Sequence, residues 1–524
     1  MVREQVIAAM CSKDHCFDVI IIGGGASGIG AAVEAISRGY SVALVEQADF
    51  ANGTSSRSTK LVHGGLRYLK QGNVRLVREA MREREILAKN APHLFLEQAF
   101  LIPNASRWQQ IFYGVGLKLY DFLATNSSLP ASAFVSREKT LQLMPNLNGQ
   151  ALCGANYYTD GQFDDARLAI NLMQTASRLG ACVVNYSECT GFVREKSRLV
   201  GLTVCDRESK LEFELRGRAI VNAGGVFADT IAGLEQAEHA PQIALSQGVH
   251  VVLPHRFLAS EAALMIPSTQ DGRVLFAVPW EGVVIAGTTD TPVEQPLLEP
   301  RALKEECDFI LNELKPYLQV PPKASDVLSV YAGLRPLVRA GKEQRTADLA
   351  RDHVIRTSPA GLMTIMGGKW TTYRKMGEDL IDYVEHELGW THRPSRSRQL
   401  PIHGAGELPA TVVPQLQRYG TDAVEIMQLG LQQSAWMQPI HPKFDYLQVE
   451  VVWQARYEMA RTVADVLARR TRLLLLDAQA SAEAAPVVAN LLAKELGKST
   501  TWQREQVAQY KILAEGYNYP GGKK

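Results

Sequence analysis

The sequence predicts an α/β chain in three parts: a parallel-sheet unit near the N-terminus, a β-rich middle, and an all-helical C-terminal region. Three observations predict it. Residues 18–46 alternate apolar run, glycine-rich turn, small-residue helix and apolar run. Short apolar and β-branched runs dominate from about 150 to 370. Beyond 449 the apolar residues recur at helical spacing.

Residues 1–16 are read as an N-terminal extension. Asp18–Ile22 and Ser41–Val45 are continuous apolar runs, the mark of strands buried on both faces, and Ala26–Arg38 is the helix between them. Residues 70–124 read as mixed helix; the charged run Arg75–Lys89 is the kind that most often forms a solvated helix face. Strands follow at Cys182–Val184, Ala219–Val221, Val249–Leu253, Val274–Val278, Val283–Ala286 and Leu362–Met366. Thr371–Leu388 reads as a helix and Pro394–Pro409 as a linker. Val449–Leu476 reads as strongly helical, with Val452, Ala455, Met459, Val463, Val466 and Leu467 on one buried stripe. The tail from Tyr517 is expected to fray.

Composition narrows the function. With 524 residues the chain can bury several cores without staples. Lys plus Arg (56) nearly balances Asp plus Glu (55), against the basic footprint of a nucleic-acid binder. Seven scattered cysteines without C-x-x-C favour a reducing, cytoplasmic setting and no metal site. No secretory signal is read in the charge-interrupted N-terminus, and the uncharged run Val19–Val33 is too short to cross a bilayer.

Gly23-Gly-Gly25-Ala-Ser-Gly28 fits G-x-G-x-x-G in the required context: it follows a buried strand, opens a helix, and has Glu46 18 residues beyond Gly28. Gly23 permits the turn, Gly25 admits a pyrophosphate, and Gly28 allows close helix–strand packing. The helix N-terminus offers free N–H groups to that anion, and Glu46 would accept from the adenosine ribose, disfavouring a 2′-phosphate. This defines a Rossmann-like dinucleotide site; the fingerprint alone leaves NAD and FAD open.

The segment Thr54-Ser-Ser-Arg-Ser-Thr-Lys-Leu-Val-His-Gly-Gly-Leu-Arg-Tyr-Leu69 resembles the FAD-dependent glycerol-3-phosphate dehydrogenases, within the D-amino-acid-oxidase-like flavoproteins. The resemblance returns at 221–229, 247–254, Gly287-Thr-Thr-Asp290, Tyr331–Leu337, Arg351-Asp-His353 and Gly367–Arg374, and covers about residues 17–390. One departure is Asn222-Ala-Gly-Gly-Val-Phe227, where the family usually has a Thr, a Pro and a Trp. The C-terminal 120 residues resemble the family only in helical character.

The resemblance implies a Rossmann-like FAD-binding domain over 17–393, interleaved with a β-rich substrate cap at roughly 75–155 and 245–335. A linker at 394–410, a helical domain at 411–515 and a tail at 516–524 complete the division. It implies oxidation of sn-glycerol 3-phosphate to dihydroxyacetone phosphate, with a quinone as acceptor. A glycerol-3-phosphate oxidase that releases peroxide and a non-catalytic flavin-binding protein are the alternatives. Implied FAD contacts are Gly23, Gly25, Ala26, Ser27, Gly28, Glu46, Thr54, Ser55, Ser56, Lys60, Gly64, Gly65, Ala223, Gly224, Gly368, Lys369 and Thr371. Arg67, Tyr68, Arg335, Arg351 and Lys369 are implied for the substrate; outside that context a lone Arg is more often a surface ion pair. The base stays open between His63 and His250, both titrating near neutrality when unperturbed, with Arg335 as an alternative polariser of the hydroxyl.

Two further expectations concern the surroundings. Trp108, Ile111, Phe112, Val115, Leu119, Phe122 and Leu123 form an apolar stripe if helical. It either seats in a bilayer interface, making the protein peripheral on the inner face of the cytoplasmic membrane, or packs on the cap, the commoner fate. A homodimer is allowed, and no calcium loop is written in the sequence.

Overall fold

The computed structural model describes residues 3–12, 15–65, 73–124, 129–339 and 353–521. Two sheets organise them. The first has eight strands, running Val354–Thr357, Leu362–Met366, Glu212–Asn222, Cys16–Ile22, Val42–Val45 and Cys182–Val184, with Arg198–Asp206 and Ser187–Glu195 added antiparallel beside Glu212–Asn222. Its centre is parallel. Its strands are covered on both faces: Val19, Ile21 and Leu44 feed a core under the helices Ala26–Ser37, Asp165–Arg178 and Tyr373–Glu387. Ile20, Ile22 and Val45 feed a second core on the opposite face.

The second sheet has ten strands. Its longest ladder pairs Ile243–Pro254 antiparallel with Ser329–Val338, a register that sets Ser246 opposite Arg335 and His250 opposite Tyr331. Beyond residue 411 the chain is helical, and its own core centres on Val449, Val452, Val466, Leu473 and Val488.

The structure departs from the sequence expectation in four places. Residues Phe95–Asn104, inside the stretch read as helical, form a strand. Their partners decide it: they pair along ten residues with Gly154–Phe163 and also meet Ala263–Ile266. The run Arg75–Lys89 is not a simple solvated face, because Glu83 and Arg84 are buried in ion pairs with Arg374 and Asp160. Val449–Leu476 is not one helix but Gln448–Tyr457, a π-type turn Asp465–Arg470, and Leu473–Leu476. The apolar stripe stays buried. The run is interrupted where Met459 and Arg472 adopt left-handed backbone (φ 53° and 61°), and Arg469, Arg470 and Arg472 turn inward to Asp49 and Asp165. Tyr517 does not fray; it is buried, and its carbonyl accepts from the Val330 amide at 2.7 Å.

Candidate active site

One cavity of about 730 Å³ runs between the sheets, a volume ordinary for a ligand site. At one end it is walled by the turn between strand Cys16–Ile22 and helix Ala26–Ser37. Gly23 has φ +114°, and a Cβ there would lie 2.5 Å from the Ala223 carbonyl oxygen. A Cβ on Gly28 would overlap the Gly23 carbonyl oxygen. These are approaches only glycine allows. Glu46 closes the end of its strand: its carboxylate accepts from the Gly24 amide (2.6 Å) and the Ala48 amide (2.9 Å). Desolvation pushes its carboxyl above the usual range, against the pull of those two amides. Ser55 Oγ accepts from the Ala26 amide at 2.9 Å, and Trp370 Nε1 donates to the Ser55 carbonyl at 2.8 Å.

The other end is made of side chains. Arg335 donates to the Thr288 hydroxyl (3.0 Å) and the Thr289 carbonyl (3.1 Å) and lies 3.6 Å from Asp290. The Asp290 carboxylate also accepts from the Ser246 hydroxyl and lies 4.0 Å from Arg273, so it sits between two guanidiniums. His250 is buried, stacks on Tyr331 with centroids 4.7 Å apart, and pairs its Nε2 with the Thr59 hydroxyl at 2.9 Å. Burial first, then the charges of Lys60 and Arg335, drive its pKa well below the usual value, so the ring is neutral. His63 lines the same end, 6.3 Å from the Phe276 ring. Gly367 and Gly368, at φ 76° and 87°, turn the chain so that Lys369 and Thr371 line the cavity just before helix Tyr373–Glu387.

The structure therefore brings Gly23, Gly25, Ala26, Ser27, Glu46, Thr54, Ser55, His63, Ala223, Gly224, His250, Arg335, Gly368, Lys369 and Thr371 around one cavity. Gly28, Ser56, Lys60, Gly64 and Gly65 lie off its lining. Lys60 is buried behind the wall, donating to Asp165 (2.7 Å) and the Ser56 carbonyl (2.9 Å). Burial and Arg472 lower its pKa to about 8 while Asp165 opposes them. Arg67, Tyr68 and Arg351 lie outside the described residues. Sequence reasoning missed Arg273, Phe276 and Thr59. Thr59 lies inside the motif at 54–69; Arg273 carries no signal beyond a charge at a strand start. Elsewhere, Asp382, Glu385 and His392 group their ligand atoms within 4.8 Å, but Arg38 already bonds both carboxylates (2.7 and 3.2 Å).

The glycine turn and Glu46 fit the diphosphate and ribose of a dinucleotide. Comparison with known proteins identifies which. Residues 18–374 match the family described as FAD dependent oxidoreductase, and residues 363–506 match the C-terminal domain of alpha-glycerophosphate oxidase. The fold and site thus define an FAD-dependent oxidoreductase. The second match corrects the expectation that the C-terminal region shares only helical character with relatives. The mitochondrial glycerol-3-phosphate dehydrogenase of Mus musculus is 37% identical over 94% of this chain and 72% of its own length. That of Schizosaccharomyces pombe is 35% identical over 97% of this chain and 87% of its own. The glycerol-3-phosphate dehydrogenase from Bacillus halodurans, solved in complex with FAD, superposes over 100% of this chain and 99% of its own with a TM-score of 0.80 at 27% identity. The chain belongs to the FAD-dependent glycerol-3-phosphate dehydrogenase family, and FAD is its cofactor.

Proposed function

We propose that the chain oxidises sn-glycerol 3-phosphate to dihydroxyacetone phosphate and passes the electrons to a quinone at a membrane surface. The observation that carries the substrate reading is the two-ended cavity: a glycine cradle at one end, and Arg335, Lys369, His63 and His250 at the other. FAD, when bound, supplies the hydride acceptor. Arg335 and Lys369 hold the phosphate, Arg335 through a planar fork suited to two oxygens at once. Arg67, Tyr68 and Arg351 join them on the strength of family resemblance. His63 takes the hydroxyl proton. His250, neutral and fixed to Thr59, orients the alcohol. In this reading residues 17–393 carry both cofactor and substrate.

The acceptor reading rests on the helix Arg107–Leu123. Its inner residues Leu117, Tyr120 and Leu123 are buried. Trp108 (73% exposed), Phe112 (58%) and Phe122 (72%) face outward with Ile111, Val115 and Leu119. Of the seven stripe residues Leu123 packs inward and the other six stay exposed, and a large contiguous apolar face of this kind marks an interaction site. No helix among the described residues is long and apolar enough to cross a membrane; the contact in this reading is peripheral, on the cytoplasmic face, through that exposed stripe.

Anaerobic addition of glycerol 3-phosphate should bleach the bound flavin, and glycerol should do so only far more slowly; bleaching by neither would overturn the substrate reading. Wild type should float with anionic liposomes and Phe112→Glu/Phe122→Glu should not. Equal failure of both to float, with oxygen or a soluble dye as the best acceptor, would sink the quinone reading.

A further inference from the structure

The helix that exposes its apolar stripe also reaches the cavity from behind. Tyr120, on its buried face, accepts a hydrogen bond from the Gly64 amide at 2.8 Å. The same phenol donates to Asp160 at 2.5 Å. Asp160 is held in turn by Arg84 at 2.7 Å and by the Gly161 amide at 3.1 Å. Burial and the Asp160 charge raise the phenol pKa well above its ordinary value. Its single proton is therefore committed to Asp160, and its lone pairs face Gly64.

This matters because of what Gly64 adjoins. The short strand Leu61–Val62 pairs with Gln162 and Gly161 and then ends. His63 is the next residue and lines the cavity. Gly64 and Gly65, with φ +78° at Gly65, bring no side chain to anchor the segment. The chain passes so close to Tyr120 that a Cβ on Gly64 would lie 2.5 Å from the phenol oxygen and 2.9 Å from Met81 Cγ.

We propose that Tyr120 is a positioning residue for His63: with Asp160 and Arg84 it clamps the Gly64 amide and so sets where the imidazole stands over the substrate. This rests on the reading of His63 as the base. A displacement of about 1 Å at a reacting group costs on the order of 100-fold in rate. Tyr120→Phe keeps the ring and loses the clamp. Its kcat should fall about 10- to 100-fold with KM for glycerol 3-phosphate nearly unchanged and FAD retained. The double variant His63→Asn/Tyr120→Phe should be no slower than His63→Asn alone, because the clamp has nothing left to place. Gly64→Ala, which keeps the phenol but forces the chain off it, should give the same pattern. If His63→Asn turns over at the wild-type rate, the reading of His63 fails. If His63→Asn is slow but the two losses multiply, the positioning role fails and that reading stands. Wild-type kcat in Tyr120→Phe, or loss of FAD from both Tyr120→Phe and Gly64→Ala, also overturns the proposal.

Discussion

The two ends of the cavity are built by different means. The dinucleotide end is backbone: a turn of glycines, amide groups at a helix start, and one carboxylate 18 residues beyond Gly28. The substrate end is side chains delivered from six separate segments, around His63, His250, Arg273, Asp290, Arg335 and Lys369. A backbone site must be contiguous, since turn, strand and helix follow one another in the chain, so it is written locally. A side-chain site depends on the register of long-range strand pairs, such as Ser246 opposite Arg335, and no local spacing encodes that. The first end should fail sterically and completely; the second should fail by degrees.

Gly28→Ala is the strongest way to break the first end. Its Cβ would overlap the Gly23 carbonyl oxygen, a backbone atom that cannot move without opening the turn. We expect purified Gly28→Ala to carry no flavin absorbance. Gly25→Ala is the sharpening control: its Cβ would meet no backbone atom, only Ser55 Oγ at 3.1 Å, a tight contact that a small shift of that hydroxyl relieves, so the empty fold should survive it. Stoichiometric FAD in Gly28→Ala would show that the cradle is softer than its geometry.

Next in size is the joint between the helical region and the cradle. Asp49, three residues past Glu46, accepts from Arg469 at 2.6 Å and from Arg470 at 3.0 Å, with every partner nearly inaccessible to solvent. Arg167 meets Glu458 at 2.5 Å, and Arg472 meets Asp165 at 2.8 Å. Stripping one partner from a buried pair costs about 3–5 kcal/mol, because the remaining charge is stranded. Arg470→Ala should lower the denaturation midpoint accordingly and weaken FAD retention. A shift within error would mean that Arg469 alone satisfies Asp49.

This joint also shows where sequence reasoning runs out. The stripe Val452 to Leu467 was legible because burial of apolar residues follows helical period. The inward turn of Arg469, Arg470 and Arg472 was not, because arginines in a helical run read as solvated, and their partners lie some 300 to 420 residues away. The strand Phe95–Asn104 was missed for the same reason: its identity comes from Gly154–Phe163, not from its own composition. By contrast Leu362–Met366 and Cys182–Val184 were read with their observed bounds, since a short apolar run in a buried sheet carries its own signal.

The substrate end should lose function in steps. A charge-assisted hydrogen bond to phosphate is worth ~1.5–3 kcal/mol, so Arg335→Ala should cost roughly 10- to 150-fold in kcat/KM. Arg335→Lys keeps the charge and loses the fork, and should recover part of that. Turnover of glycerol, which lacks the phosphate, should hardly change in either. Equal losses on both substrates would place Arg335 in the fold or at the flavin, through its bonds to Thr288 and Thr289, and remove it from phosphate recognition.

The smallest expected effect tests the element that joins the two ends. Helix Tyr373–Glu387 begins beside Lys369 and Thr371 and packs so closely on Ala26–Ser37 that a Cβ on Gly30 would lie 2.8 Å from the Tyr373 carbonyl oxygen. Glu378 ties it to the segment Ser397–Gln399 by accepting from Arg398 at 2.6 Å, and also accepts from Arg374, one turn earlier on the same helix, at 2.5 Å. Burial raises the Glu378 carboxyl, but Arg398 and Arg374 outweigh it and bring the pKa from 4.5 down to about 2. The native state thus binds this proton less readily than the unfolded chain. Its contribution is complete above pH 4.5 and is lost as the pH falls from 4.5 toward 2. Arg398 is partly exposed, which screens its share, so the contribution at neutral pH is roughly 1–2 kcal/mol. Glu378→Gln should therefore melt below wild type at neutral pH, and the gap should close on acidification across that window. A gap independent of pH would mean that Glu378 acts by packing alone, and that the helix linking cradle to substrate end is held without its charge.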